Sequence, residues 1–403
     1  MKTIIVGAGI AGLWLADKLA AAGHTVTVLE KEDRLGGRIL TSAKHGYEIG
    51  AGRIDLDGHH LTMDLIKRFG LKTFEHGKGS LWSSVGSRTL EPNNFAETWA
   101  PLVALFSKLD PVTLGSTTLR DLAVSTIGCA ATNALLLRFP YRAETETLRA
   151  DLAIKSFQAE MSDKPRFGGV AGGLSSITTA LAASARKAGA RIHMGVTVTD
   201  VIRSPSSGRY TVLTSDGKHR YADRVILAVP VTALRSFPCL QSVSLLSHLT
   251  MKPLTRIYAQ METAWCPPKR IITDSPLRYI IPIKPKEGIV MISYTESQDT
   301  QRYMSLTGED LKVALHQDLR QLFLDQPVPR IVWARTYEWS DGCSYWLPGS
   351  YDVDAASAKA LQPLPDMPDL HLVGESFSLR QAWIEGSLEH AADLLLSLNR
   401  NGA

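Results

Sequence analysis

Lys2-Thr3-Ile4-Ile5-Val6-Gly7-Ala8-Gly9-Ile10-Ala11-Gly12 opens the chain, and Thr25-Val26-Thr27-Val28-Leu29-Glu30-Lys31 follows closely. The β-branched run at residues 2–6 reads as a short buried strand, residues 9–22 as a helix and residues 25–29 as a second strand. Together they form a strand–helix–strand opening with a glycine loop at its first turn. Gly7, Gly9 and Gly12 lack side chains where a strand turns into a helix. The backbone N–H groups around Ile10 and Ala11, with the positive end of the helix, can therefore approach a pyrophosphate. Glu30, at the end of the second strand beside Lys31, is placed to accept hydrogen bonds from a ribose diol and would repel a 2′-phosphate. The alternative for this stretch is a tight strand-to-helix turn that holds no ligand.

Working outward, the 403 residues suggest two or three domains, or two built from interrupted segments, at roughly 150 residues each. Hydrophobic residues make up 44% and charged residues 21%, which excludes disordered and fibrous classes. Lys and Arg exceed Asp and Glu by 44 to 40 without long basic runs, so no nucleic-acid partner is expected. Cys129, Cys239, Cys266 and Cys343 are scattered without a C-x-x-C pair; free, mostly buried thiols and no metal are expected. The longest uncharged stretch, residues 167–185, contains Gly168, Gly169, Gly172 and Gly173, poor material for a membrane span. With a strand starting at Lys2 and no room for a signal peptide ahead of it, a cytoplasmic protein is expected; a homodimer is left open.

Residues 94–161 carry apolar residues at helical spacings, such as Leu102, Leu105, Phe106 and Leu109, then 135–137, and read as an inserted helical region. A helix after Gly172-Gly173 to residue 188 is followed by β segments at 191–194, 196–202, 210–214 and 225–229. Between 255 and 338 several strands are read, among them 256–261, 279–283 and 289–294, interrupted by a helix at 308–324. A short strand at 370–373 and a final helix at 386–398 close the chain. The architecture expected is α/β: a nucleotide-binding domain from residues 1–60, 168–240 and 355–403, and a substrate domain of antiparallel sheet and helices from 61–167 and 241–354.

Arg34-Leu35-Gly36-Gly37-Arg38 resembles the second glycine motif of large FAD-dependent oxidoreductases. Gly36 and Gly37 permit a close backbone pass, and Arg38 supplies a fixed positive charge for the diphosphate or flavin; the alternative for Arg38 is a surface ion pair. With Glu48-Ile49-Gly50-Ala51-Gly52-Arg53, Gly172-Gly173-Leu174, Val225-Ile226-Leu227-Ala228-Val229-Pro230 and Trp383-Ile384-Glu385-Gly386 added, nearly the whole chain resembles the flavin amine oxidase family. Within it, Lys187-Ala188-Gly189-Ala190-Arg191, Ser275-Pro276-Leu277-Arg278 and Tyr294-Thr295-Glu296-Ser297 are most similar to bacterial L-tryptophan oxidases. The resemblance implies FAD, a Rossmann-type (glutathione-reductase-like) cofactor domain, and oxidation of a Cα–N bond by hydride transfer to flavin N5. Dioxygen is the implied acceptor, giving hydrogen peroxide.

Carried over, Gly7, Gly9, Gly12, Glu30, Gly36, Gly37 and Arg38 would hold adenosine and diphosphate. Gly50, Ala51 and Gly52 would lie against the flavin, Val198 would meet the adenine through its backbone, Gly374 and Glu375 would contact the ribityl chain, and Ile384 would offer an N–H near the flavin carbonyl. Local alternatives are a strand core residue for Val198, a turn for Gly374 and a helix N-terminal carboxylate for Glu375. The family's lysine before a Trp is missing: Thr255 and Arg256 stand at the candidate positions before Trp265. Arginine stays charged and cannot be a base, but it can hold a water or a carboxylate. Gly342-Cys343 resembles the Gly-Cys that carries covalent flavin in some relatives, in a shorter loop; a buried unreactive cysteine is the alternative.

For the substrate, the resemblance implies Arg53 as a bidentate carboxylate fork, Tyr294 as a second donor to that carboxylate and Trp383 as an aromatic wall. An L-amino acid with an apolar or aromatic side chain is thus expected, with Arg53, Arg256 and Tyr294 facing one cavity. The local alternatives are an Arg53 that braces the pyrophosphate or pairs with Asp55 or Asp57, and core positions for Tyr294 and Trp383. His59-His60 reads as a helix start or surface pair, since His-Glu-x-x-His spacing is absent. Competing functions are a monoamine or polyamine oxidase without carboxylate recognition, a flavin-dependent desaturase or isomerase, and an FAD-binding protein whose catalysis has decayed.

Overall fold

The β-branched run Lys2–Val6 becomes the middle strand of a five-stranded parallel sheet, ordered Leu370–Leu372, Arg224–Leu227, Lys2–Val6, Thr25–Leu29, Arg191–His193. The structure, a computed structural model, describes residues 1–160 and 165–401, so the end of the helical reading at Met161 lies outside the described residues. Parallel strands buried on both faces need apolar residues on both sides, and this sheet has them. Ile5, Val26, Val28 and Ile226 pack with the helices Ile10–Ala21, Ser175–Lys187 and Ile384–Asn401. Ile4, Val6, Leu29, Val225 and Leu227 face the other core, which includes Val201, Tyr210, Val212 and Ala222 of an antiparallel three-stranded sheet, Val198–Arg203, Tyr210–Thr214, His219–Ala222. Each such aliphatic side chain, fully buried, contributes about 1.5–3 kcal/mol.

A seven-stranded sheet runs in the order Ile331–Trp346, Leu249–Met261, Ile289–Glu296, Tyr279–Lys284, Ile271–Thr273, Leu81–Ser83, Glu91–Pro92. One face packs on the helix Gly308–Leu322 through Ile257, Ala259, Val290 and Ile292. The opposite face carries Leu254, Tyr258, Met291 and Tyr294. Leu254, Arg256 and Tyr258 share this second face by the two-residue period of a strand. Tyr294 reaches it through a β-bulge: Ile257 is opposite Ser293 but Tyr258 is opposite Met291, so Ile292 is the extra residue and Tyr294 lands directly opposite Arg256.

Residues 95–160 form helices, as read, including Phe95–Phe106, Arg142–Glu146 and Ala150–Glu160, and their apolar faces join the core under the three-stranded sheet. Ile331–Trp346 begins within the region 255–338 expected to hold strands and runs eight residues beyond it. It is an edge strand, paired on one side to Leu249–Met261, and Arg335, Glu338 and Asp341 along it break the apolar alternation. A small sheet, Ile54–Asp55, Phe167–Val170, Thr73–Glu75, joins segments far apart in sequence.

Two expectations need correction. The cysteines are not mostly buried: Cys129 is exposed and Cys239, Cys266 and Cys343 are half-buried. His59 is not a surface residue. It is 1% exposed, its Nδ1 accepts from the Asp55 N–H at 3.2 Å, and its ring stands edge-on to Trp383 at 4.9 Å; only His60 is exposed, at the start of His60–Arg68. The sequence pair hides this because burial there is supplied by Trp383, which arrives from the far end of the chain. Among the described residues, no helix is long and apolar enough to cross a membrane, and no group of three or more His, Cys, Asp or Glu could hold a metal.

Candidate functional site

The three glycines of the first turn divide by what surrounds them. A Cβ on Gly7 would strike the Ala228 carbonyl and one on Gly12 the Gly7 carbonyl, so both are demanded by chain packing. Gly9 is different. It sits at the N-cap of Ile10–Ala21 with an ordinary φ of −73°, and a Cβ there would meet nothing within 4 Å. Its bareness serves no contact of the fold, which is what a site for a closely approaching phosphate requires. Gly36 and Gly37, at φ of 100° and 58°, pass beside it, with Gly9 and Gly36 bridged as in a parallel ladder. Ile10 and Ala11 form the buried first turn.

Glu30 is buried, and its two carboxylate oxygens accept from the Ala8 N–H at 2.6 Å and the Glu32 N–H at 3.0 Å. It thus braces the glycine loop, an arrangement that spacing alone did not indicate. Lys31 is exposed and pairs with Glu32 at 3.4 Å. Val198 is buried at the start of its strand.

Arg38 and Glu375 meet at 2.7 Å. Glu375 is a hub at 5% exposure: it also accepts from the Ser344 N–H at 3.0 Å, the Ser344 hydroxyl at 2.8 Å and the Ala382 N–H at 2.8 Å. It is neither a helix-terminal carboxylate of a long helix nor a surface partner, but the point where three chain segments are tied. Gly374, at φ 124°, donates its N–H to His390 Nδ1 at 3.4 Å. Gly50 has its α-carbon against the Arg38 carbonyl, the Ala51 N–H donates to the same oxygen at 2.9 Å, and Gly52 faces the Arg256 guanidinium. Ile384 begins the last helix. The next residue, Glu385, accepts from the Leu61 and Thr62 N–H groups at 2.8 and 2.9 Å, capping His60–Arg68 from outside.

Arg53 lies with its guanidinium 4.3 Å from the Phe167 ring centre, 5.3 Å from Tyr141 and 5.4 Å from Trp383. Phe167 and Trp383 are themselves stacked, 5.8 Å apart with planes 7° off parallel. Asp57 is taken by Arg166 through two 2.8 Å hydrogen bonds. Tyr141 stands edge-on to Tyr294 at 5.6 Å, and Tyr294 lies under the Arg256 guanidinium at 5.1 Å. Arg53, Tyr294 and Arg256 are therefore brought together around Tyr141. Arg256 donates to the Glu48 carbonyl at 3.0 Å while its buried Nε finds no partner in the protein.

Two carboxyl groups in this cluster had no role in the sequence reading. Glu296 accepts from the Tyr294 hydroxyl at 3.2 Å and from the Ala143 N–H at 3.4 Å. Burial, then the charge of Glu144, push its carboxyl up to about 8. Burial raises Glu144 to about 7 against the pull of Arg53. Glu296 was legible in principle, two residues from Tyr294 on one strand face; Tyr141, Glu144 and Phe167 carried no local signal. Cys343 lies opposite Lys252 in the sheet, and burial, with the charges of Glu375 and Glu296, raises its thiol far above the ordinary range.

The family described as flavin containing amine oxidoreductase matches residues 129–395, and an NAD(P)-binding Rossmann-like domain matches residues 5–68. The L-amino-acid oxidase of Naja atra is 43% identical over 75 residues, 18% of this chain and 15% of that protein. That of Crotalus adamanteus is 45% identical over 75 residues, 18% of this chain and 14% of that protein. The matched stretch thus spans only about a seventh of these relatives' length. A solved putrescine oxidase triple mutant, made in a redesign of cofactor binding, superposes with a TM-score of 0.78 over 99% of both chains at 18% identity, which establishes the shared fold.

Proposed function

The chain belongs to the flavin-containing amine oxidoreductase family, and from that premise we propose that it oxidises the Cα–N bond of an L-amino acid with an apolar or aromatic side chain. The cofactor is FAD, and the residues present fit it: the open face of Gly9, the glycine pair Gly36-Gly37 and the charge of Arg38 surround a space into which a Cβ on Gly9 would project. Gly7, Gly12, Glu30 and Val198 would serve its adenosine half, and Gly50–Gly52, Gly374, Glu375 and Ile384 its flavin half. The division into a cofactor domain of residues 1–60, 168–240 and 355–403 and a substrate domain from the remainder is part of the same proposal. Bound there, the flavin supplies a two-electron acceptor for the C–N bond, with dioxygen as the final acceptor.

The chain's own part is positioning. The observation that carries the reading is Arg53 set among Tyr141, Phe167 and Trp383, with Tyr294 one ring away. A guanidinium stays charged at any working pH, the aromatic faces around it exclude water, and its planar shape matches a carboxylate bound bidentately. The aromatic walls favour an apolar side chain, and the exclusion of water between them raises the cost of an ammonium, promoting the neutral amine. Arg53→Ala should lower kcat/KM by two to three orders of magnitude, because stranding a buried carboxylate costs about 3–5 kcal/mol, and Arg53→Lys should restore only part. The test is rapid anaerobic bleaching of the flavin by L-phenylalanine or L-tryptophan against the decarboxylated amines. Faster bleaching by the amine, with Arg53→Ala indifferent, would overturn the reading. A second reading, a monoamine or polyamine oxidase, is favoured by Glu144 and Glu296, which would suit a cationic distal amine; the same experiment separates the two.

A further inference from the structure

An α-amino acid arrives as a zwitterion, and its ammonium must lose a proton before the nitrogen lone pair can assist departure of the Cα–H. Arg53 and Arg256 are permanent cations, and the buried hydroxyls of Tyr141, Tyr294 and Tyr345 and the thiol of Cys343 are all held in their protonated forms by burial. A protonated group cannot take another proton here. His59 stands behind Trp383 with its Nδ1 engaged by the Asp55 N–H, and His76, beside Arg53, is kept neutral by burial and by the charges of Arg270 and Arg53. The Glu48 carboxyl, also raised by burial, is taken up by the Thr41 hydroxyl and the Leu174 N–H at 2.8 and 2.7 Å; two carboxyl groups remain, on different elements: Glu144 in Arg142–Glu146, one turn from Tyr141, and Glu296 at the end of the strand that carries Tyr294.

We infer that Glu144 and Glu296 act as one carboxyl pair that accepts the proton shed by the substrate's ammonium. The inference rests on the reading of Arg53 above. Glu296 accepts the Ala143 N–H at 3.4 Å, which sets it against the helix Arg142–Glu146 that carries Glu144; two such neighbouring carboxyls hold one proton between them near neutrality, so the pair carries a single negative charge beside the cations Arg53 and Arg256. Burial raises both above the usual carboxylate range, against the pull of Arg53 at Glu144 and with the added charge of Glu144 at Glu296, so a proton can be taken up at working pH. In the transfer one N–H bond breaks, its electron pair stays on nitrogen, and one O–H bond forms. The cavity's net charge is unchanged, since the added carboxylate charge on Arg53 matches the negative charge lost from the pair. The proton has a way out: Glu144 also borders a cavity of about 310 Å³ whose wall includes the exposed Lys155, with Arg380 and Glu389 beside it.

Two measurements on the FAD-loaded protein test this. The first needs no variant. Titration calorimetry of 3-phenylpropionate, a carboxylate with no ammonium, in two buffers of different ionisation enthalpy at pH 7 should show uptake of close to one proton per ligand, because a second negative charge beside the pair forces it to protonate. Uptake near zero would overturn the inference. The second compares pH profiles of the limiting anaerobic flavin reduction by an aromatic L-amino acid. The wild type should rise from pH 6 to a plateau by about pH 8, as the pair loses its second proton. In Glu296→Gln and Glu144→Gln the rate should fall at least tenfold at pH 6 and recover towards pH 9, as solvent takes over the proton. An equal loss at every pH, or none, refutes the pair's role. Reduction by 2-phenylethylamine and not by the amino acid would sink the functional reading instead; the same comparison of profiles with that amine then decides the pair, since an alkylammonium must also shed its proton.

Discussion

Gly9→Ala and Gly12→Ala separate a glycine kept for a ligand from one kept for the fold. At Gly12 the new methyl would fall on the Gly7 carbonyl oxygen and still lie 3.2 Å from Gly7 C and 3.3 Å from Ile5 Cγ2. All three belong to the central strand or its turn, which cannot yield as a flexible side chain can, so the loss of stability should reach about 3 kcal/mol, the top of the overpacking range. At Gly9 the methyl meets no atom within 4 Å at a φ that alanine adopts freely. Alanine is a poorer N-cap than glycine by about 0.5–1 kcal/mol, and the stiffer unfolded chain returns about 0.4–1 kcal/mol, so the apoprotein should hold within about 0.5 kcal/mol. Its FAD affinity should fall roughly 10- to 150-fold, the worth of one hydrogen bond between a backbone N–H and a charged phosphate, about 1.5–3 kcal/mol. Urea unfolding of the apoproteins and fluorescence titration with FAD give both quantities. A Gly9→Ala protein destabilised as much as Gly12→Ala, with FAD affinity unchanged, would show that the loop is a tight turn and nothing more.

Glu375→Gln keeps shape but turns an amide N–H₂ toward Arg38 or towards the Ser344 and Ala382 donors; with Arg38 partly exposed, a loss of about 2–3 kcal/mol in apoprotein stability and at least tenfold in FAD affinity is expected by the same assays. His59 and His390 are held by burial at about 4, below the ordinary 6.5, so both fold as neutral rings. A histidine depressed in the folded state stabilises fully above pH 6.5, and that contribution is lost as pH falls towards 4, up to about 3 kcal/mol each. Because His390 Nδ1 accepts the Gly374 N–H, melting temperature and FAD retention should fall together over this window, and His390→Asn should flatten the acid limb. Cys343, its thiol raised by burial, should form no bond to flavin: acid precipitation of both wild type and Cys343→Ser should leave the flavin in the supernatant, and colour remaining with the pellet in the wild type alone would refute this.

The opening strand, its glycine loop and the following helix were legible in the sequence because each is decided within a few residues: β-branched side chains, missing Cβ atoms and a run of helix-forming Leu and Ala act locally. The arginines at 38, 53 and 256 were legible as candidates for the same reason, as charges beside glycine turns or in a strand. What surrounds them was not. Tyr294 faces Arg256 only because one extra residue, Ile292, bulges the strand; strict alternation would have turned Tyr294 to the opposite face, into the helix-covered core. Tyr141, Glu144 and Phe167 reach Arg53 from the helical region and the small sheet, contacts set by packing between elements roughly a hundred residues apart, for which no local pattern exists. By sequence Glu30 reads as a ribose acceptor at a strand end, and Glu375 as a ribityl contact or a helix N-terminal carboxylate. Their hydrogen bonds to Ala8, Glu32, Arg38, Ser344 and Ala382 appear only once register and burial bring those donors within 3.0 Å. Burial likewise decided which groups titrate, since desolvation of a side chain depends on every segment that covers it and not on its neighbours in sequence.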